Sequence, residues 1–337
     1  MVILLDTNQL EHAQPPDGAL MAMLRTLARE TGHRLGLPEI ALEEHLAHHR
    51  RAVELAVTDF RRATSKLRSL SGSMGIEDVI VDIDRAVADR RARLDSVFEV
   101  VPTPDLASHE SLLREARRQP PAGVSFDGPG AGGRDVAIWL TALSTAEACE
   151  DDTYFVSADS AAFGRTQLKP ELVAELDEKL AGRASAFHYC NGLDALLGEL
   201  AAKVEQPLGR DLIANSAAVR VAVTAALEDP NLVWEVPFGE SSGGVSTNSG
   251  ALELTSSGHE VSYQVGEMTW ACARTTWQAS ISFERMSYGP EGRLILDPPR
   301  TLAFKVTTTL VMQLDPQGAV SAAEVAARSR AFGFREL

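Results

Sequence analysis

The chain has 337 residues, room for two domains at roughly 150 residues each. Forty-five per cent of them are hydrophobic, which excludes wholesale disorder. Acidic residues outnumber basic ones 47 to 32, a formal charge of −15 that excludes a general coat for nucleic acid but not an enzyme meeting a polyanion through a local patch and bound cations.

Met1-Val2-Ile3-Leu4-Leu5-Asp6 has no basic flank, and its apolar run stops at an aspartate. It predicts a buried strand over Val2 to Leu5 rather than a signal peptide. A helix is predicted over Ala19 to Glu30, then a second strand over Arg34 to Pro38, ended by its proline. Ile40 to about Leu70 reads as a long charged helix, broken at Ser71 to Gly75, and Asp78 to Leu94 as another. Val97 to Val101 is a third strand, Ser108 to Arg118 a helix, and Gly123 to Gly133 a glycine-rich loop. Asp135 to Glu147 is amphipathic, with Ile138, Trp139, Ala142 and Leu143 on one stripe. Strands at Tyr154 to Ser157 and Phe187 to Cys190, then a helix over Leu193 to Lys203, complete a pattern of parallel sheet with flanking helices.

After Pro207 the texture changes. One helix, Asp211 to Leu227, leads to a Gly/Ser-rich stretch at Gly239 to Gly250. Short β-like runs follow at Ala251 to Leu254, Val261 to Gln264, Thr269 to Arg274, Gln278 to Glu284 and Thr301 to Leu314, the last closed by a turn at Asp315-Pro316-Gln317-Gly318. The expected organisation is an α/β domain over residues 1–205 and a smaller β-rich, α+β domain over 206–337, in which no chemical motif is visible. Cys149, Cys190 and Cys272 lie far apart, so neither a disulfide framework nor a zinc site is expected, and a reducing, cytoplasmic setting fits. No run approaches the length of a membrane span.

Ligands of open parallel sheets bind beyond the carboxyl ends of the strands. Four segments bring a carboxylate to that edge: Asp6 after the first strand, Glu43-Glu44 after the second, Asp135 at the start of a helix, and Asp159 after the fourth strand. Any one of them alone could be an N-cap or first-turn residue. Four together point to a site, because crowded carboxylates repel unless a cation neutralises them, and oxygen-only donors select Mg²⁺ or Mn²⁺ over zinc.

These residues carry a family resemblance. Val2-Ile3-Leu4-Leu5-Asp6-Thr7-Asn8 resembles the opening strand of PIN-domain nucleases, and Leu37-Pro38-Glu39-Ile40-Ala41-Leu42-Glu43-Glu44 their second acidic motif. Gly132-Gly133-Arg134-Asp135-Val136-Ala137-Ile138-Trp139 is similar to the G-x-R-D-x-x-I-W signature of a bacterial PIN-like subfamily of the DUF4935 type. Phe155-Val156-Ser157-Ala158-Asp159 resembles the closing motif, although the aromatic that usually follows closely waits until Phe163. Leu113-Arg114-Glu115-Ala116-Arg117-Arg118 also fits that subfamily. The resemblance covers about residues 1–200.

It implies a PIN-like fold and a metal-dependent ribonuclease, with Asp6, Glu44, Asp135 and Asp159 holding Mg²⁺ or Mn²⁺ and carrying catalysis. Thr7, Asn8 and Ser157 would be hydrogen-bonding helpers. Glu43 stands about 100° from Glu44 on the helix, so only one of the two can point inward, and the spacing from Pro38 favours Glu44, with Glu43 as a helper. Rival expectations are a structure-selective DNA nuclease and an inactive PIN-fold interaction module. Besides RNA, an antitoxin or other protein partner and a second copy of the chain are candidate partners, and no membrane is expected.

His45, His48 and His49 lack the HExxH order of a zinc helix, so a solvated or phosphate-contacting face is expected for them. Arg50 and Arg51 on that helix, with Arg134, are candidate contacts to a phosphate backbone, against the alternative of an ordinary solvated helix. The glycine loop lacks a P-loop lysine and reads as a flexible access loop, and Trp139 as core. Residues from 206 onward contribute −4 to the net charge, leaving −11 to residues 1–205.

Overall fold

The computed structural model describes residues 1–12, 18–71, 81–123, 132–205, 208–227, 245–283, 286–288, 294–296, 300–328 and 332–336. The first part of the helix expected from Asp78, most of the glycine loop over 124–131, the stretch 239–244 and the strand end at Glu284 lie outside the described residues. The chain divides into two compact units, Met1–Pro16 with Leu27–Leu196, and Asp17–Thr26 with Leu197–Leu337.

The first unit is built on five parallel strands: β1 (Val2–Leu5), β2 (Arg34–Pro38), β3 (Glu99–Val101), β4 (Thr153–Val156) and β5 (Phe187–Cys190), in the order β3-β2-β1-β4-β5. All four residues of β1 are buried, as an unbroken apolar run requires in a central strand covered on both faces. Around the sheet come α1 (Thr7–His12), α2 (Ala19–Thr31), α3 (Glu39–Ser71), α4 (Ile83–Asp95), α5 (Asp105–Arg117), α6 (Gly133–Ala148), α7 (Pro170–Leu180) and α8 (Leu193–Leu200). Helices α2 and α8 each span a division between the units. The expected α/β class, with a central parallel sheet flanked by helices, is what the structure has.

Helix α6 packs on β2 and β4 with Val136, Ala137, Ile138 and Trp139 all buried. The Trp139 ring meets Phe155, Phe163 and Phe187, so Trp139 is core. Two helices were not foreseen. α1 follows Asp6 directly, and α7 starts at Pro170, a proline in the first turn where its missing N–H costs nothing.

The second unit is antiparallel. β6 (Ala202–Lys203) takes residues expected to end a helix and pairs them with β7 (Val245–Val265). The first four of the runs expected beyond residue 250 are one long hairpin, β7 with β8 (Met268–Phe283), closed by the two residues Gly266 and Glu267. Gly266 has φ +60°, the positive value such tight turns demand. The small hairpin β9 (Met286–Tyr288) and β10 (Leu294–Leu296) stands apart from the six-stranded sheet β12-β11-β8-β7-β6. Within that sheet β11 (Arg300–Leu314) pairs β8, β12 (Val320–Arg328) and, off the main path, β13 (Phe332–Glu336).

The helix expected over Asp211 to Leu227 is two helices, α9 (Arg210–Asn215) and α10 (Ala217–Leu227). They divide at Ser216, whose extended backbone and hydroxyl, accepting from Val219 N at 3.3 Å, make an N-cap. Ile213, Val219, Val223 and Leu227 from these helices share a core with Leu252, Leu254, Trp277, Phe304, Val306 and Leu310 of the sheet. Among the described residues no helix is long and apolar enough to cross a membrane.

Candidate active site

In a parallel sheet the strands all point the same way, so their carboxyl ends share one edge. Asp6 leaves β1 there, its amide bonded to Val156 O at 3.0 Å, and Ser157 leaves β4 beside it. Asp6 is 3% exposed. Its Oδ1 accepts from Thr7 N at 2.6 Å; its Oδ2 accepts from Asn8 Nδ2 at 2.7 Å and Ser157 Oγ at 2.6 Å. The Ser157 hydroxyl in turn accepts from the Asp159 amide at 3.0 Å, and Asp159 Oδ1 takes the amides of Ala161 and Ala162 at 2.8 and 2.9 Å. Hydrogen bonds thus run from the end of β1 through Ser157 to Asp159.

On the other side, Thr7 Oγ1 donates to Glu44 Oε2 at 2.9 Å. Glu44 is 13% exposed by side chain and forms an ion pair with Arg134, and His48 Nε2 lies 3.9 Å from its Oε1. Glu43 turns outward, 56% exposed, to Arg91 of α4. Of the two adjacent glutamates, the inward one is therefore Glu44, and Glu43 takes no part in the cluster.

Asp135, in the first turn of α6, joins the others through charge. Burial, then Asp6, Asp159 and Glu44, raise its carboxyl to about 7 against the opposing pull of Arg134. Burial is also the largest cause at Asp6, raised to about 6, with Asp159 and Glu44 adding to it and the Ser157 and Thr7 hydrogen bonds opposing. Asp135 thus feels the other three acids, and Asp6 two of them. Among the described residues, however, no group of three or more His, Cys, Asp or Glu side chains is arranged to hold a metal ion as it stands. Glu44 is engaged by Thr7 and Arg134, and one oxygen of Asp159 by two backbone amides.

The basic candidates fare differently. Arg134 stands at the cluster, 62% exposed. Arg50 is paired with Asp84 of α4, and Arg51 is exposed on α3. His45 is not on a solvated face: it is 6% exposed and accepts from Arg90 Nε at 3.1 Å. The glycine loop, read as flexible, ends in a tightly held pair. Gly132 has φ +110°, and a Cβ there would stand 2.6 Å from Ala122 Cα.

Four polar residues at or behind the cluster were not singled out as site residues in the sequence, Glu115 entering only within the Leu113-to-Arg118 motif. Gln9 is 4% exposed; its Nε2 donates to Asn8 Oδ1 at 2.6 Å and its Oε1 accepts from Leu193 N at 3.2 Å. With Asn8 Oδ1 also accepting from Ala158 N at 3.0 Å, the amide of Asn8 is fixed with its N–H groups toward Asp6. The Tyr189 hydroxyl bonds Gly164 O at 2.7 Å and Ser157 O at 3.1 Å, and burial, with Asp159 and Asp6 nearby, pushes it up to about 12. The other two, Glu115 and Glu175, lie around α6. A Gln directly after a D-T-N strand end was the signal available for the first of them.

The family model described as the PIN domain matches residues 3–163. Residues 3–163 are a PIN domain. The match spans β1, with Asp6 at its end, through to Phe163, and so includes all four clustered acids. PIN domains are generally nucleases, which gives this unit a nuclease fold. No curated protein and no solved structure matches the chain, and residues 206–337 match no family model.

Proposed function

We propose that the PIN domain of this chain is a divalent-cation-dependent ribonuclease whose site is Asp6, Glu44, Asp135 and Asp159. The observation that carries the reading is the gathering of these acids at one sheet edge, where burial first and their mutual charge after it raise Asp6 and Asp135. A site of that kind is relieved by a cation, and its donors are all oxygen, which suits Mg²⁺ or Mn²⁺. Bound there, such an ion would supply Lewis-acid neutralisation of the charge that builds on a phosphodiester during hydrolysis. The chain's own residues do the rest. Thr7, Asn8 and Ser157 fix both oxygens of Asp6, and Thr7 also holds Glu44, so the acids present a set geometry to a bound phosphate. Arg134, exposed beside Glu44, is placed to contact the phosphate backbone. RNA as the substrate class, and an antitoxin as a partner, rest on the family resemblance.

The test is cleavage of single-stranded RNA, tRNA and branched DNA in Mg²⁺ or Mn²⁺, with and without chelator. Asp6→Asn and Asp135→Asn are expected to lower RNA cleavage at least about 1000-fold while leaving the chain folded, with the melting temperature of Asp135→Asn unchanged or higher because it removes a repelled charge. Full activity in either variant overturns the assignment, and preferential cutting of branched DNA replaces RNA as substrate. Failure of calorimetry to detect Mn²⁺ binding at millimolar concentration would leave the inactive interaction module.

A further inference from the structure

The motif Leu113-Arg114-Glu115-Ala116-Arg117-Arg118 has so far no part in the chemistry, yet its Glu115 reaches α6 and its Arg114 reaches α7. The first turn of any α-helix leaves backbone N–H groups without intrahelical acceptors. At α6 the capping position is Gly132, which has no side chain to supply one. The acceptor comes from another helix: Glu115 Oε2, on α5, takes the Gly133 N–H at 3.1 Å. A carboxylate there also meets the positive end of the helix dipole. Room for it exists only because residue 133 is glycine, since a Cβ would lie 2.3 Å from that same oxygen.

Behind this contact stands a second tie. Arg114 grips Glu175 of α7 with two parallel bonds of 2.9 and 2.6 Å, and also bonds Glu110 at 2.9 Å and Pro120 O at 3.2 Å. Glu175 Oε2, which takes one of those bonds, also accepts the Trp139 indole N–H at 2.9 Å. One carboxylate therefore links α5, α6 and α7, and fixes α5 in register against the helix whose start Glu115 holds.

The need for such a hold lies two residues further on. Asp135 is pressed toward three other acids, and that repulsion acts on the one turn of α6 with no cap of its own. Glu115 is not among the charges that act on Asp135, so its effect runs through the backbone.

We propose that Glu115 is a positioning residue, a cap supplied from α5 that fixes the first turn of α6 and so presents Asp135, with the Arg114–Glu175–Trp139 tie as its support. The inference rests on the reading of Asp135 as part of the site.

The test uses the full chain without added metal or nucleic acid, followed by hydrogen–deuterium exchange. Glu115→Ala is expected to speed exchange at Gly133 and Val136 about tenfold, while Glu115→Gln, which keeps an acceptor oxygen, stays within about twofold of wild type. Gly133→Ala displaces the carboxylate without removing it and is expected to match Glu115→Ala. The double variant should be no worse than either single one, since both break the same contact. In RNA cleavage, Glu115→Ala should lower kcat about 30-fold with KM within twofold, and Glu115→Gln should restore it. Unchanged exchange in Glu115→Ala, or an equal loss in Glu115→Gln, overturns the proposal. A wild-type chain that cleaves nothing overturns the nuclease reading alone, because the exchange arm still decides the cap.

Discussion

The two units differ in whether they bury charge. In the PIN unit charged groups are buried or half-buried among neutral ones: four acids share a sheet edge, and Arg114 and Glu175 sit between helices at 14% and 18% exposure. Among the described residues of the β-rich unit the fully buried polar side chains are neutral, and several satisfy one another. Thr275 and Thr308 hydroxyls lie 2.7 Å apart, the Trp277 indole donates to Thr275 at 2.8 Å, and His259 bonds Ser262 at 2.8 Å. Neutral pairs cost little to bury and favour one packing, whereas like charges held together cost stability that only a ligand returns. The contrast teaches where the proposed ligand would act: the acids of the first unit repel one another, and the buried polar side chains described in the second complete a core.

The sharpest break of this contrast is Trp277→Ala. It empties the middle of the helix-covered core and leaves Thr275 without its indole donor, so denaturant unfolding followed by circular dichroism should show a loss of about 3–5 kcal/mol. A loss under about 1 kcal/mol would mean that this core does not carry the unit.

Next in size is the charged tie of the PIN unit. Glu175 is held below the ordinary glutamate range; burial opposes this, but the hydrogen bonds from Arg114 and Trp139 and the Arg114 charge outweigh it. Its folded value therefore lies below its unfolded value near about 4.3. In that window the unfolded chain binds the extra proton, so the stabilisation is full above the unfolded value and is lost as pH falls through the folded one. Glu175→Gln should cost about 1–2 kcal/mol at neutral pH, discounted for partial exposure, and should flatten the acid limb of a plot of stability against pH. An acid limb identical to wild type would remove the tie from the account.

The smallest effect concerns the turn after β11. Asp315 Oδ1 accepts from Gln317 N at 3.0 Å and Ala319 N at 2.8 Å, so Asp315→Ala should cost about 1 kcal/mol, read as a small shift in the denaturation midpoint.

How much of this was legible in the sequence differs by unit for physical reasons. Short apolar runs ended by Asp6 or Pro38 located β1 and β2 to the residue, because a strand covered on both faces needs no alternation to be seen. Helix α7 was missed although Leu172, Leu176 and Leu180 repeat at helical spacing behind Pro170 in its first turn. In the β-rich unit the hairpin was read as fragments. Its register shifts between Asn248 and Glu253, Leu254 and Ser256, and His259 and Val261, and each shift resets the two-residue alternation by which a strand is recognised. At the site, Asp6, Glu44, Asp135 and Asp159 stood out as acids beside strand or helix ends. Glu115 and Glu175 did not, because a residue that reaches across to another helix leaves no local pattern; only the Gly132-Gly133 pair, which makes room for it, was visible.

The strand order has a consequence in time. The central strand β1 is made first, but one of its two neighbours, β4, lies about 150 residues later, as does Ser157, separated from Asp6 by 151 positions. At roughly 5–20 residues per second of synthesis, β1 waits roughly 8–30 seconds with one side an open edge. The hairpin of the second unit, closed by a two-residue turn, needs only about 1–10 microseconds once its strands exist. Asp6 and Asp159 therefore cannot meet on a growing chain until more than 150 residues have been made, and the acidic site is assembled late by the path of the chain alone.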